Sequence, residues 1–249
     1  MKKIPAVVLV ALLSACGGGG DSSDEPGADA RGLYEGQFSQ SGQTFQLAAV
    51  VGSDQRAFLL SLDAGALYAG QINTAATSLS GALTAYEITS GSDFSLVAER
   101  AGISTITGIV TPMSGISGNY STSFGPPGTF ALTYDERSGD APSLASISGV
   151  YSSQDPISGF SMSASVDIDG SLTASDSDGC NYTGAISIPD STLNLYDAAV
   201  TGSCPGQAAE TLTGFVVSTD PASASGLLIL LANNALAVAA FLAEAPTQP

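Results

Sequence analysis

The chain of 249 residues has no histidine, no tryptophan, three cysteines and six basic residues, and each shortage closes off a class of function. Without histidine there is no Ser-His-Asp triad, no Cys-His pair and no His-ligated metal site. The cysteines, Cys16, Cys180 and Cys204, are not in metal-ligand spacing. The basic residues are Lys2, Lys3, Arg31, Arg56, Arg100 and Arg137, with none beyond Arg137. Phosphate contacts need lysine and arginine, so nucleic acid is an implausible partner. An anionic lipid surface would repel the chain for the same reason. The 23 acidic residues leave a cationic partner or divalent ions open, but their simplest role is solubility.

What is present begins with an export signal. Lys2 and Lys3 precede the apolar segment from Ile4 to Leu13, which is too short to span a bilayer as a helix. Leu13-Ser14-Ala15-Cys16 follows, and here the chain resembles bacterial lipoproteins. The resemblance implies a signal peptide over residues 1–15, cleavage before Cys16, and lipidation of Cys16 with palmitate-type chains as a membrane anchor. Two or three acyl chains hold far more firmly than one, at ~0.8 kcal/mol per buried CH₂. In that family Gly rather than Asp after the cysteine, here Gly17, implies passage to the outer membrane. Cleavage would leave four arginines against 23 acidic residues, a side-chain balance of −19. Residues 16–31 carry no large apolar side chain and predict a flexible tether, about 20 Å end to end and at most about 50 Å.

From Gly32 the pattern is β. Phe160, Met162, Ala164, Val166 and Ile168 alternate with Ser161, Ser163, Ser165, Asp167 and Asp169. Asp169-Gly170 and Asp178-Gly179 are hairpin turn signals, since glycine takes positive φ without steric cost. The chain also repeats itself. Gly32-Leu33-Tyr34 returns as Gly149-Val150-Tyr151, and Gly65, Tyr68, Gly70 and Ile72 return as Gly179, Tyr182, Gly184 and Ile186. Gly118 and Glu136 match Gly226 and Glu244. Two homologous all-β antiparallel domains follow, over 32–137 and 148–245, joined by a linker at 138–147. The shrinking offset predicts extra loop residues in the first copy between Thr89 and Ile103. Each copy offers about eight strands. In the second they begin near Ile147, Phe160, Ser171, Cys180, Thr192, Glu210, Gly226 and Leu236. Eight short strands without helices fit a small up-and-down barrel, with a β-sandwich as the alternative. On architecture alone the domains loosely resemble the barrels of transferrin-binding and factor H-binding surface lipoproteins.

The apolar run from Gly226 to Ala245 is long enough to suggest a membrane helix, but Asn233-Asn234 would bury two amides at its centre. Aligned with the turn at Gly125-Pro126-Pro127, it predicts two strands buried on both faces, against the first domain.

Candidate sites are few. Cys180 and Cys204 can pair in an oxidising compartment. If they face each other, partners sum to 384, so Tyr182 faces Gly202, Gly184 faces Val200 and Ile186 faces Ala198. Asp167, Asp169, Asp176 and Asp178 are weak calcium candidates, with turn chemistry the better reading. Glu35, Glu87, Glu99 and Glu210 could supply a glycosidase pair, but no spacing selects two of them. Asn119-Tyr120-Ser121 and Asn181-Tyr182-Thr183 match a glycosylation pattern of no weight in a bacterial lipoprotein. Tyr34, Tyr68, Tyr151 and Tyr182 recur beside glycines and are expected to pack over them rather than to form a ligand rim. The inward candidates Ala164, Ala174, Ala198 and Gly184 leave room for a lumen in the second barrel. No catalytic residue, no metal and no cofactor is expected. The reading is a non-enzymatic outer-membrane lipoprotein that binds or forms part of the envelope surface, facing the periplasm or the outside. Its alternatives are a carrier of a small apolar ligand and an enzyme inhibitor, the latter with a protein partner.

Overall fold

The structure, a computed structural model, describes residues 27–92, 94–219 and 226–245. The signal segment, Cys16 and most of the tether lie outside the described residues. The first eight strands are β1 (Gly32–Gln40), β2 (Gln43–Val51), β3 (Arg56–Ser61), β4 (Ala66–Ala75), β5 (Ser78–Gly91), β6 (Ser95–Thr111), β7 (Gly115–Thr122) and β8 (Gly128–Tyr134). A 3₁₀ turn over Glu136–Gly139 and one helical turn over Leu144–Ile147 lead to the second set. It comprises β9 (Gly149–Gln154), β10 (Ser161–Val166), β11 (Ser171–Asp176), β12 (Asn181–Ser187), β13 (Tyr196–Ser203), β14 (Glu210–Thr219), β15 (Gly226–Ala232) and β16 (Leu236–Glu244).

All pairings are antiparallel, within each set they follow the chain order, and each set closes first strand on last. β8 pairs with β1 from Tyr34↔Tyr134 to Gln40↔Gly128. β16 pairs with β9 at Ala243↔Ser152 and Glu244↔Tyr151. Closure decides for barrels over sandwiches. Inward residues are apolar, and outward ones such as Ser163, Thr173, Ser175 and Thr183 are exposed. A membrane-spanning barrel needs an apolar band outside, the reverse of this arrangement. Among the described residues no helix is long and apolar enough to cross a membrane.

The repeat holds in atomic detail where register supports it. Tyr34 donates its hydroxyl to Ala30 O at 2.9 Å, and Tyr151 donates to Ile147 O at 2.7 Å, each reaching back four residues. A Cβ on Gly70 would lie 2.5 Å from Ala82 O, and one on Gly184 would lie 2.3 Å from Ala199 O. Both glycines sit where the neighbouring backbone passes too close for any side chain. The matches of Gly118 with Gly226 and of Glu136 with Glu244 do not hold. Tyr34 faces Tyr134 where Tyr151 faces Glu244, so β8 aligns with β16 at an offset of 110. Gly118 faces Phe130, whose counterpart Ala240 faces Ile229, so Gly118 aligns with Ile229. A one-residue change of register turns a side chain to the other face, and letter identity alone does not respect that. The two-strand reading of 226–245 survives the correction, because Asn233 turns the chain: its Oδ1 accepts from the amides of Ala235 and Leu236.

Two further expectations are corrected. Residues 27–31 are not free tether. Ala30 is buried, Ala28 packs on the first core, and Arg31 pairs with Asp29 and Asp190. Small side chains let this segment lie across the end of the barrel. The extra residues of the first copy are not a loop either. They lengthen β5 and β6 to 14 and 17 residues, against 8 and 10 in β13 and β14. The elongated hairpin leaves its own barrel and pairs along β16, from Leu236↔Glu99 to Ala240↔Ser95. The barrels therefore share a sheet as well as a packed interface.

That interface explains the unbroken apolarity of the last two strands. Leu227, Ile229, Leu231 and Leu242 point into the second barrel. Leu230, Ala232, Ala237 and Ala239 point out, against Leu33, Val50, Phe58 and Leu67 of the first. Phe215 is 0% exposed, edge-on to Phe58 at 5.7 Å, with the Arg56 guanidinium 4.7 Å from its ring centre. Arg56 also pairs with Asp197 at 2.7 Å, so two of the four arginines after Cys16, Arg31 and Arg56, join the domains.

Candidate functional site

Although the barrels share a topology, their interiors differ. The first is filled: its residual cavity is about 30 Å³, room for one water. Phe38 stacks on Phe45 at 5.1 Å and meets Tyr120 edge-on at 5.7 Å, and Phe130 packs with them. The second holds a cavity of about 580 Å³ that opens to solvent. Its size falls in the range of sites that bury most of a small organic ligand.

The strand pairings show why. Tyr68 faces Leu59, whereas its counterpart Tyr182 faces Ala174. Phe130 is replaced by Ala240. Tyr120, which faces Ile106 across β6 and β7, gives way to Leu231, which faces Gly214. Three large inward side chains have become small or medium ones, and the space they vacate is the cavity. Phe38 has become Asp155, whose carboxylate accepts from the Ile157 and Ser158 amides and the Ser158 hydroxyl. Phe160, the counterpart of Phe45, has thus lost its partner within the barrel. Phe94, from the tip of the β5–β6 hairpin, supplies it. The two rings stack at 5.6 Å with 17° between planes, and Phe94 O accepts from the Phe241 amide at 2.7 Å.

The hairpin tip fills the gap where β9 runs out along β16. Ser90, Gly91, Ser92, Ser95 and Val97 of the first domain consequently line the second domain's lumen. Met162, Ala164, Leu172, Ala174, Ile229 and Ala240 are among the apolar residues of the remaining wall. Ser158, Asp178 and Gln207 are exposed and mark the mouth. Of the four inward candidates in the sequence, Ala164 and Ala174 line the lumen and Ala198 and Gly184 do not, and the sequence did not point to Phe94 or the hairpin. The signal available for them was the shrinking offset.

Cys180 and Cys204 form a disulfide at the mouth, with Cα atoms 4.1 Å apart. The register is the derived one: Tyr182↔Gly202, Gly184↔Val200 and Ile186↔Ala198. The Tyr182 ring lies over Gly202, where a Cβ would sit 3.0 Å from its edge. Its hydroxyl donates to Asp176 Oδ2 at 2.7 Å, while Asp176 Oδ1 accepts from the Asp178 and Cys180 amides. Burial raises the Tyr182 phenol above its ordinary value, and its bond to Asp176 pushes the same way.

The calcium candidates do not converge. Asp167 and Asp169 sit at one end of β11 and Asp176 and Asp178 at the other, about 20 Å apart along the strand. Asp169 Oδ1 accepts from the Ser171 amide, which holds its carboxyl below the usual range. No group of three or more His, Cys, Asp or Glu that could hold a metal occurs among the described residues. Turn bonds occupy the carboxylates of Asp169 and Asp176, and Asp167 closes its turn through its backbone oxygen. Among the glutamates, Glu87 faces Glu99 across β5 and β6, but both are exposed and neither lines the lumen. Glu35 pairs with Arg137, and Glu210 accepts from Asn233.

No protein-family model matches the chain, and no curated protein matches it. Among solved structures, Aeromonas veronii immune modulator A is similar over 89% of this chain and 95% of its own, at 14% identity and a TM-score of 0.38. A Bacteroides fragilis protein provisionally classed as an outer membrane protein is similar over 86% of this chain and 97% of its own, at 12% identity and a TM-score of 0.29. TM-scores this low lend neither likeness weight.

Proposed function

We propose that the protein is a non-enzymatic lipoprotein, held at the outer membrane through Cys16, whose second barrel carries one small apolar molecule. The observation that carries this reading is the contrast between two copies of one fold, one filled to about 30 Å³ and the other hollow at about 580 Å³. Apolar wall left facing water costs roughly 25 cal/mol per Å², so a lumen opened by systematic loss of large side chains is best explained by an occupant that covers it. The lining contains no His, Lys, Arg or Glu, which supports binding rather than catalysis. The anchor rests on Leu13-Ser14-Ala15-Cys16 after a basic, apolar leader.

Two measurements test the two halves. Protein produced in bacteria without detergent should release one apolar compound per chain on organic extraction, read by mass spectrometry. Extracts empty of any such compound, together with failure to take up a neutral fluorescent probe, would contradict the carrier. Cys16→Ala should remain an unacylated precursor, and labelled palmitate entering that variant would reject the anchor.

A further inference from the structure

We infer that the lumen selects its ligand by charge, taking an apolar chain that ends in a cationic head and rejecting the corresponding carboxylate. This rests on the carrier reading and adds the class of ligand to it. The wall is largely apolar, with Ser90, Ser92 and Ser95 of the hairpin as its neutral polar groups, and its charged groups, Asp176 and Asp178, sit at the mouth with Tyr182, Gln207 and Ser158. Two of these are carboxylates, and no Lys or Arg lines the cavity. Three of the four arginines after Cys16 are committed elsewhere, Arg31 to Asp29 and Asp190, Arg56 to Asp54 and Asp197, Arg137 to Glu35 and Asp135. Arg100 is exposed on β6 and does not line the lumen.

Asp176 is fixed in place by two backbone amides and the Tyr182 hydroxyl, so its charge is oriented before any ligand arrives. The disulfide beside it holds β12 and β13 together at the rim. An apolar tail buried among Ala164, Ala174, Leu212, Ile229 and Ala240 would leave its head between Asp176 and Asp178. A carboxylate head would meet two like charges there with no cation to offset them, and an ammonium would meet two opposite ones. Each exposed pair is worth little alone, but attraction for one head and repulsion for the other add in the comparison, giving roughly tenfold discrimination.

The test uses the mature protein with N-phenyl-1-naphthylamine, a neutral apolar probe. Dodecyltrimethylammonium, dodecanol and dodecanoate then compete for it at pH 7 and low salt. The expected order is ammonium, alcohol, carboxylate, with about tenfold between first and last, shrinking as salt screens the rim. Asp178→Asn is exposed and leaves the fold intact, and it should narrow the gap. Asp176→Asn, which keeps an oxygen for the two amides, should narrow it further. Probe uptake with dodecanoate competing as well as the ammonium, or a gap unchanged in both variants, overturns the inference while leaving the carrier reading standing. No probe uptake by the wild-type protein overturns both.

Discussion

Single residues at the rim of the second barrel set what the lumen can hold. Cys180 is the clearest case, because the first copy has Ala66 at the matching position and holds its strands together without a bridge. Joining Cys180 to Cys204 closes a loop 24 residues long in sequence separation. In the chain-entropy model that constraint stabilises by about 3.5 kcal/mol. Replacing both cysteines with serine should therefore lower unfolding free energy by about 3.5 kcal/mol in denaturant titration. The loss should fall on the transition of the second barrel, with a mouth less able to hold Asp176 against Tyr182. A double variant as stable as the parent would show that strand pairing alone fixes the rim. The register around this bridge was legible because two cysteines, once paired, dictate every partner along the ladder. The partner of Phe160 was not. Nothing local announces that Asp155 stands where a ring should be, or that the missing ring comes from Phe94, 66 residues upstream.

Among the elements, the β5–β6 hairpin does most to make two repeats into one molecule. Alternation and turn signals predicted the strands well. In the second copy the expected starts lie within two residues of those observed, apart from the fifth, where Thr192 to Leu195 precede β13. Leu193 and Leu195 in that stretch are buried between the domains, so apolarity there marked an interface rather than a strand. The hairpin was misread for a related reason. Strand length depends on what a strand can pair with beyond its own barrel, and β16 offers an edge only after folding. Phe94 at the tip is 8% exposed and covers the seam where β16 changes partner from β6 to β9. A stacked aromatic pair is worth about 0.5–1.5 kcal/mol beyond its buried area. Phe94→Ala should therefore release a bound probe roughly two- to tenfold faster, seen in stopped-flow displacement, if the seam is a route into the lumen. An unchanged release rate would place the route at the mouth alone.

For the molecule as a whole, the absence of histidine predicts how stability responds to pH. Asp135 is held below 3.8 by the Arg137 guanidinium, Asp155 by the Ser158 hydroxyl and Asp190 by the Thr192 hydroxyl. A carboxyl whose value is lowered on folding adds stability that is complete above its unfolded value and is lost as pH falls through the folded one. Asp197 acts in the opposite sense: burial raises it, and its cost is relieved as pH falls through its folded value. The lowered group outnumbers it, so melting temperature should stay flat between about pH 6 and 8 and drop below about pH 4. A step within the neutral range would reveal a titrating group that this account lacks.

Two copies of one barrel differ in whether they have room inside, and a ring added to each tells them apart. Ala174→Phe places a ring in the second lumen opposite Tyr182, and Ala57→Phe places one in the filled first barrel, where Ala57 is 1% exposed. Overpacking a filled core costs about 1–3 kcal/mol. Ala174→Phe should keep or raise the melting temperature and abolish one-to-one binding of the neutral probe. Ala57→Phe should lower the melting temperature and leave binding intact. A destabilised Ala174→Phe protein that still binds the probe would show that the second barrel is not hollow at Ala174.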